Sequence, residues 1–209
     1  MTGIVDYGVG NLFSLRSSLR AIGAEAVVSG DRDVLSLCDR IILPGVGAFP
    51  DAARKLTEGG LDEFLKKEAE GGKPLLGICL GMQLLLEYST EYGRTAGLGL
   101  CRGGVTPIAD EIEEGLKIPH IGWNALHFTG KKHPLFRYLK EGDFVYFVHS
   151  FHASPRTCPD VIATAEYGGT LTAAVARGNV MGCQFHPEKS GDLGLSILRA
   201  FVEGEGVAV

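Results

Sequence analysis

The first half of the chain alternates short apolar runs with stretches of helical periodicity, and few folds accept that alternation. Residues 2–6 form an apolar run stopped by glycine, which suits a strand buried on both faces. Leu12, Leu15, Leu19 and Ile22 then recur at helical spacing, with Asn11 placed as the N-cap. Residues 25–29 and 40–43 read as the next strands, with a helical 31–38 between them. Two amphipathic stretches, 50–58 and 61–70, lead to a strand at 74–78 and a helix at 80–91. Parallel neighbours need a crossover, and each crossover helix must bury its apolar stripe. The βαβαβ order therefore predicts a parallel sheet with helices on both faces.

After about Gly97 the pattern changes. Residues 143–148, 161–167, 171–176 and 180–185 read as strands spaced by turns, and 193–202 as a closing helix with Leu195, Leu198 and Val202 on one face. No Pro-, Ser- or charge-rich linker and no internal repeat divides the chain. The expectation is an α/β fold: a doubly wound, mostly parallel sheet with antiparallel additions in the C-terminal half. Residues 1–209 are expected to form a single domain, a length that can bury one core.

Composition removes several function classes. Twenty basic residues stand against 25 acidic ones, net −5, with no basic run to grip nucleic acid. The acidic stretch 110–114 reads as a solvated turn. The first six residues lack the basic start of an export signal, and the longest uncharged apolar stretch, 74–86, is too short for a membrane span, so a cytoplasmic location is expected. Five scattered cysteines, none in a CxxC pair, argue against disulfides and structural zinc. The 30 glycines point to tight turns and close backbone approaches. Neither Gly8-Val9-Gly10 nor Gly45-Val46-Gly47 completes a GxGxxG loop, because Phe13 and Pro50 occupy the third positions, and no cofactor is expected.

One cysteine stands apart. Gly77-Ile78-Cys79-Leu80-Gly81 lies where a buried strand runs into a helix and matches the nucleophile elbow, with cysteine for serine. A sharp strand-to-helix turn brings backbone so close that side chains two residues either side must be absent. A helix N-terminus also favours an anionic sulfur. The bland alternative is a buried strand cysteine. His186-Pro187-Glu188 follows another apolar run, and residues two apart in extended chain share a face. Glu188 there can hold one ring nitrogen of His186 and leave the other for a thiol. The Leu80 amide, with amides of Gly45, Val46 and Gly47 after the 40–43 strand, is a candidate oxyanion hole. His149 and His152 form an HxxH, but three-apart residues on a strand face opposite ways, so no metal site is expected.

Gly77-Ile78-Cys79-Leu80-Gly81-Met82-Gln83 with Gln184-Phe185-His186-Pro187-Glu188 resembles the class I (triad) glutamine amidotransferases. Asp6-Tyr7-Gly8-Val9-Gly10-Asn11, Pro119-His120-Ile121-Gly122-Trp123-Asn124 and Tyr146-Phe147-Val148-His149-Ser150-Phe151 are similar to one branch of them, the glutaminase subunits of histidine biosynthesis. The resemblance spans residues 6–190. It implies Cys79 as nucleophile, His186 as base then acid, and Glu188 as its orienter. It also implies Gly45, Gln83, His149 and Ser150 at the glutamine, and Leu80, Val46 and Gly47 at the oxyanion. Asn11, Trp123 and Asn124 are implied at a partner. The bland readings are a solvent-facing helix glutamine for Gln83 and a core residue for Trp123.

The chain carries chemistry to release ammonia but no nucleotide loop or second domain to use it, so the acceptor site is expected on another polypeptide. The resemblance implies a heterodimer with a (βα)₈-barrel cyclase, L-glutamine as substrate, and reorientation of the Gly45–Gly47 peptide as a gate. Rival readings are a glutaminase subunit serving pyridoxal phosphate or anthranilate synthesis, a cysteine peptidase or deglycase on a similar sheet, and a non-catalytic flavodoxin-like binding module. No role is assigned to residues 152–160 or to the tail after Phe201.

Overall fold

A computed structural model describes residues 1–204. In chain order the elements are β1 (Thr2–Val5), α1 (Leu12–Ala21), β2 (Ala26–Ser29), α2 (Arg32–Ser36), β3 (Arg40–Gly45), α3 (Phe49–Glu58), α4 (Leu61–Glu70), β4 (Leu75–Cys79) and α5 (Leu80–Leu84). There follow β5 (Tyr88–Ser89), β6 (Thr95–Ala96), β7 (Gly104–Pro107), β8 (His120–Ala125), β9 (His127–Phe128), β10 (Phe144–His149), β11 (Phe151–Ala153), β12 (Val161–Glu166), β13 (Thr170–Arg177), β14 (Val180–Cys183) and α6 (Gly191–Glu203).

Eight strands make the main sheet in the order β2-β1-β3-β4-β14-β13-β12-β9. The first five are parallel and the last three antiparallel. Strands β3 and β4 run as near-continuous apolar stretches because helices cover both their faces. One face packs Leu35, Leu56, Leu65 and Leu84 of α2 to α5; the other packs Leu15, Leu19, Ile197, Leu198 and Phe201 of α1 and α6. Asn11 caps α1, its Oδ1 accepting from the Ser14 amide at 3.4 Å.

Two expectations about the elements are corrected, and one sheet was not anticipated. The helix read over 80–91 ends at Leu84, because the carbonyls of Leu84, Leu85 and Leu86 accept from Leu98, Cys101 and Gly99 amides instead of continuing the helical ladder. The strand read over 143–148 does not join the main sheet; β10 pairs antiparallel with β8 in a separate two-stranded sheet. A four-stranded sheet, β11-β7-β5-β6, was not visible in the sequence because its strands are too short for a period-2 pattern to register. The acidic stretch is also less solvated than expected: Glu111 is largely buried and pairs with Arg156 at 3.0 Å. No helix among the described residues is long and apolar enough to cross a membrane.

Candidate active site

At the β4–α5 junction the backbone of Cys79 has φ 55° and ψ −112°, a conformation that side chains rarely adopt and that costs roughly 1–3 kcal/mol. The surrounding glycines explain how it persists. A Cβ on Gly81 would lie 1.8 Å from the Leu43 carbonyl oxygen, and one on Gly77 2.6 Å from that of Gly81. Backbone fills both spaces, so only glycine allows the turn that lifts the thiol to the carboxyl end of the sheet. Gly45 lies opposite Cys79 in the β3–β4 register, and a Cβ there would meet the Gly81 amide and the Tyr7 hydroxyl at 2.8 Å.

His186 and Glu188 follow β14, which is parallel to β4, so both chain ends arrive at one sheet edge. The His186 amide donates to the Tyr146 carbonyl at 2.9 Å, fixing the turn against β10. His186 Nδ1 donates to Glu188 Oε1 at 2.8 Å, with both side chains almost wholly buried. Burial opposes a charge on the ring, but the bonds and charges of Cys79 and Glu188 outweigh it, and the imidazole is pushed up to about 9 from its ordinary 6.5. At neutral pH the ring is an imidazolium beside the sulfur. Burial raises all four other thiols, Cys101 to about 12, Cys158 to about 11, Cys38 above its ordinary value and Cys183 far higher than a free thiol, so these stay protonated.

A cavity of about 310 Å³ opens onto the sulfur. It is lined by Val46, Gly47, Cys79, Leu80, Gln83, His149, Ser150 and His186, and also by Glu91, Pro119, Val148, Phe151 and Lys189. Gly45 and Glu188 lie behind it, bordering a small crevice with Asn11 and Val46. Gly47 adopts φ +95° with open space around it, and Val46 beside it is exposed. Gln83 is buried, unlike a solvent-facing helix glutamine. His149 has neither ring nitrogen to spare: Nδ1 donates to the Phe151 carbonyl at 2.9 Å and Nε2 lies 3.0 Å from His120 Nδ1. Burial pushes His149 down to about 3, so it is neutral and cannot compete with His186 as acid. His152 is buried with Nδ1 accepting from the Thr172 amide.

Trp123 and Asn124 separate. Consecutive strand residues face opposite ways, so Trp123 is exposed with Ile121 and Phe144, while Asn124 turns inward. Asn124 Oδ1 lies 2.7 Å from His120 Nε2, and Nδ2 donates to the Glu166 carbonyl at 2.8 Å. Glu91 was not foreseen, because the sequence placed it at the end of the helix read over 80–91 and gave it no role. Its Oε2 accepts from the Phe49 amide at 2.7 Å, capping α3 while lining the cavity.

Residues 3–203 match the glutamine amidotransferase class-I family. The chain is 48% identical over 204 residues to the imidazole glycerol phosphate synthase subunit HisH of Wolinella succinogenes, covering 97% of this chain and 99% of that one. It is 50% identical over 204 residues to the same subunit of Geobacillus kaustophilus, covering 97% and 96%. Among solved structures, a crystal structure of a glutamine amidotransferase superposes with a TM-score of 0.74 at 21% identity, covering 97% of each chain. PurLQS from Thermotoga maritima does so with a TM-score of 0.72 at 22% identity, covering 96% of each. The likeness to these two structures is one of fold.

Proposed function

The chain belongs to the class-I glutamine amidotransferase family, and from that premise we propose that it is the glutaminase subunit of an imidazole glycerol phosphate synthase. The observation that carries the reading is that Cys79 and His186 line one cavity of about 310 Å³ while Glu188, behind it, holds the imidazole. Near-full-length identity to relatives bearing that name supports the pathway, histidine biosynthesis.

The thiolate of Cys79 attacks the carboxamide carbon of glutamine, forming a C–S bond and a tetrahedral oxyanion. The Leu80 amide and an amide of the Val46–Gly47 segment stabilise that oxygen; one such donor is worth about 10²–10³ in rate. His186 gives its proton to the nitrogen as the C–N bond breaks, so ammonia departs and a thioester remains. The neutral ring then takes a proton from water, hydroxide adds to the thioester carbon, and the C–S bond breaks to release glutamate and the thiolate. Among the described residues Glu91 is the one carboxylate on the cavity wall, and it suits the α-ammonium of the substrate.

Ammonia passes to a partner cyclase, read as a (βα)₈ barrel, that makes imidazole glycerol phosphate and aminoimidazole carboxamide ribonucleotide. The exposed apolar face of Ile121, Trp123 and Phe144 fits that partner. Gly47, in left-handed backbone with free space, suits a peptide that reorients when the partner is loaded. The test is Cys79→Ala in the heterodimer. Glutamine-dependent product formation is expected to vanish while ammonia-dependent formation persists; survival of glutamine hydrolysis overturns the reading.

A further inference from the structure

Gln184 is fully buried, and its Nε2 lies 3.7 Å from Cys79 Sγ, within hydrogen-bond reach of sulfur. An amide side chain can present either end, so the orientation needs its own argument. That argument begins at the Phe151 carbonyl, which can only accept. Gln83 Nε2 donates to it at 2.9 Å and donates its other hydrogen to Gln184 Oε1 at 3.0 Å. Rotating Gln184 by half a turn would set its NH₂ against the NH₂ of Gln83 and its oxygen against the sulfur. The chain Phe151 carbonyl, Gln83, Gln184 thus has one satisfied arrangement, and it points an N–H at the nucleophile. His149 Nδ1 donates to the same carbonyl and fixes its position.

We propose that Gln184 is a further catalytic residue, whose amide N–H stabilises the Cys79 thiolate, and that Gln83 is the positioning residue that aims it. A hydrogen bond to the charged form favours that form, and burial of both amides makes the preference stronger than it would be in water. The bond complements the imidazolium: His186 gives up its proton during the reaction, whereas Gln184 keeps its hydrogen throughout. It therefore steadies the sulfur both before attack and when the thioester breaks. Both Gln83 amide hydrogens are engaged in this chain, so any contact it makes to glutamine is through its carbonyl oxygen.

The test uses iodoacetamide, which needs no glutamine and so stands apart from the proposed function. The other four cysteines are held protonated by burial and none lines the cavity, which makes Cys79 the thiol that reacts. In Gln184→Met, which keeps size and removes the donor, alkylation at pH 7 is expected to slow about tenfold, the scale of a bond to a charged group. In Gln83→Met, which frees Gln184 to turn over, a smaller slowing is expected. Glutaminase kcat/KM in the heterodimer should fall in the same ratio as alkylation in Gln184→Met. Unchanged alkylation in a folded Gln184→Met protein overturns the proposal. Should that variant fail to fold, the Gln184 side-chain amide signals of the wild-type heterodimer decide: they are expected to move on Cys79→Ala, and unmoved signals overturn it equally. Intact alkylation effects in a protein that hydrolyses no glutamine would leave the hydrogen bond standing and remove the glutaminase reading instead.

Discussion

At His186 burial and charge act in opposite senses, and the outcome sets a pH dependence. A ring raised from 6.5 to about 9 carries its proton through neutrality, where the proposed mechanism uses it for departing ammonia. The heterodimer's glutaminase kcat/KM is therefore expected to fall as pH rises through about 9. Glu188→Gln removes one of the two charges that hold the proton. It should move that limb to lower pH and cost about 10²-fold or more in rate; a pH–rate profile checks both. The sign for stability is the same. Because the folded value is raised, the contribution is fully present below about 6.5 and lost through about 9. The grouping of Cys79, His186 and Glu188 was legible in the sequence because each sits beside a motif with a local cause, the elbow glycines and the His-Pro-Glu turn. Gln184 and Glu91 were not, since their roles depend on a sulfur and a cavity brought to them by other strands.

Among the elements, the elbow makes the sharpest claim. The Cβ of Gly81→Ala would collide with the backbone of β3, which cannot step aside without breaking its ladder to β4. The expected loss is at the upper end of the roughly 1–3 kcal/mol cost of overpacking, or beyond it. In a chain of this size that corresponds to a Tm lower by roughly 6–12 °C, measurable by calorimetry. The βαβαβ half was readable because each strand there is buried on both faces and each helix keeps one apolar stripe. Helix α5 was overextended because Leu84, Leu85 and Leu86 are apolar without a polar face, a pattern that fits a helix or a buried turn equally well. Carbonyl partners 13 to 16 residues away ended it.

For the whole molecule, the β8–β10 sheet separates two jobs by strand alternation. His120 and Asn124 on its inner face connect to His149, and Ile121, Trp123 and Phe144 on its outer face meet solvent. Trp123→Asp touches no core contact of the first kind, so stability should change within about 0.5 kcal/mol. Binding of the partner cyclase should weaken about tenfold or more, as expected for a central aromatic anchor, and titration calorimetry would show it.

Local periodicity and close-packed glycines make the parallel half of the sheet, the Cys79 elbow and the His186–Glu188 pair readable from the chain, because they leave each of these one solution. Tertiary structure alone decided which way Asn124 faces and where the C-terminal strands pair. It also decided that Gln184 meets the sulfur and that Glu91 reaches the cavity. Those outcomes depend on contacts between segments dozens of residues apart, and no local pattern encodes which segments will meet.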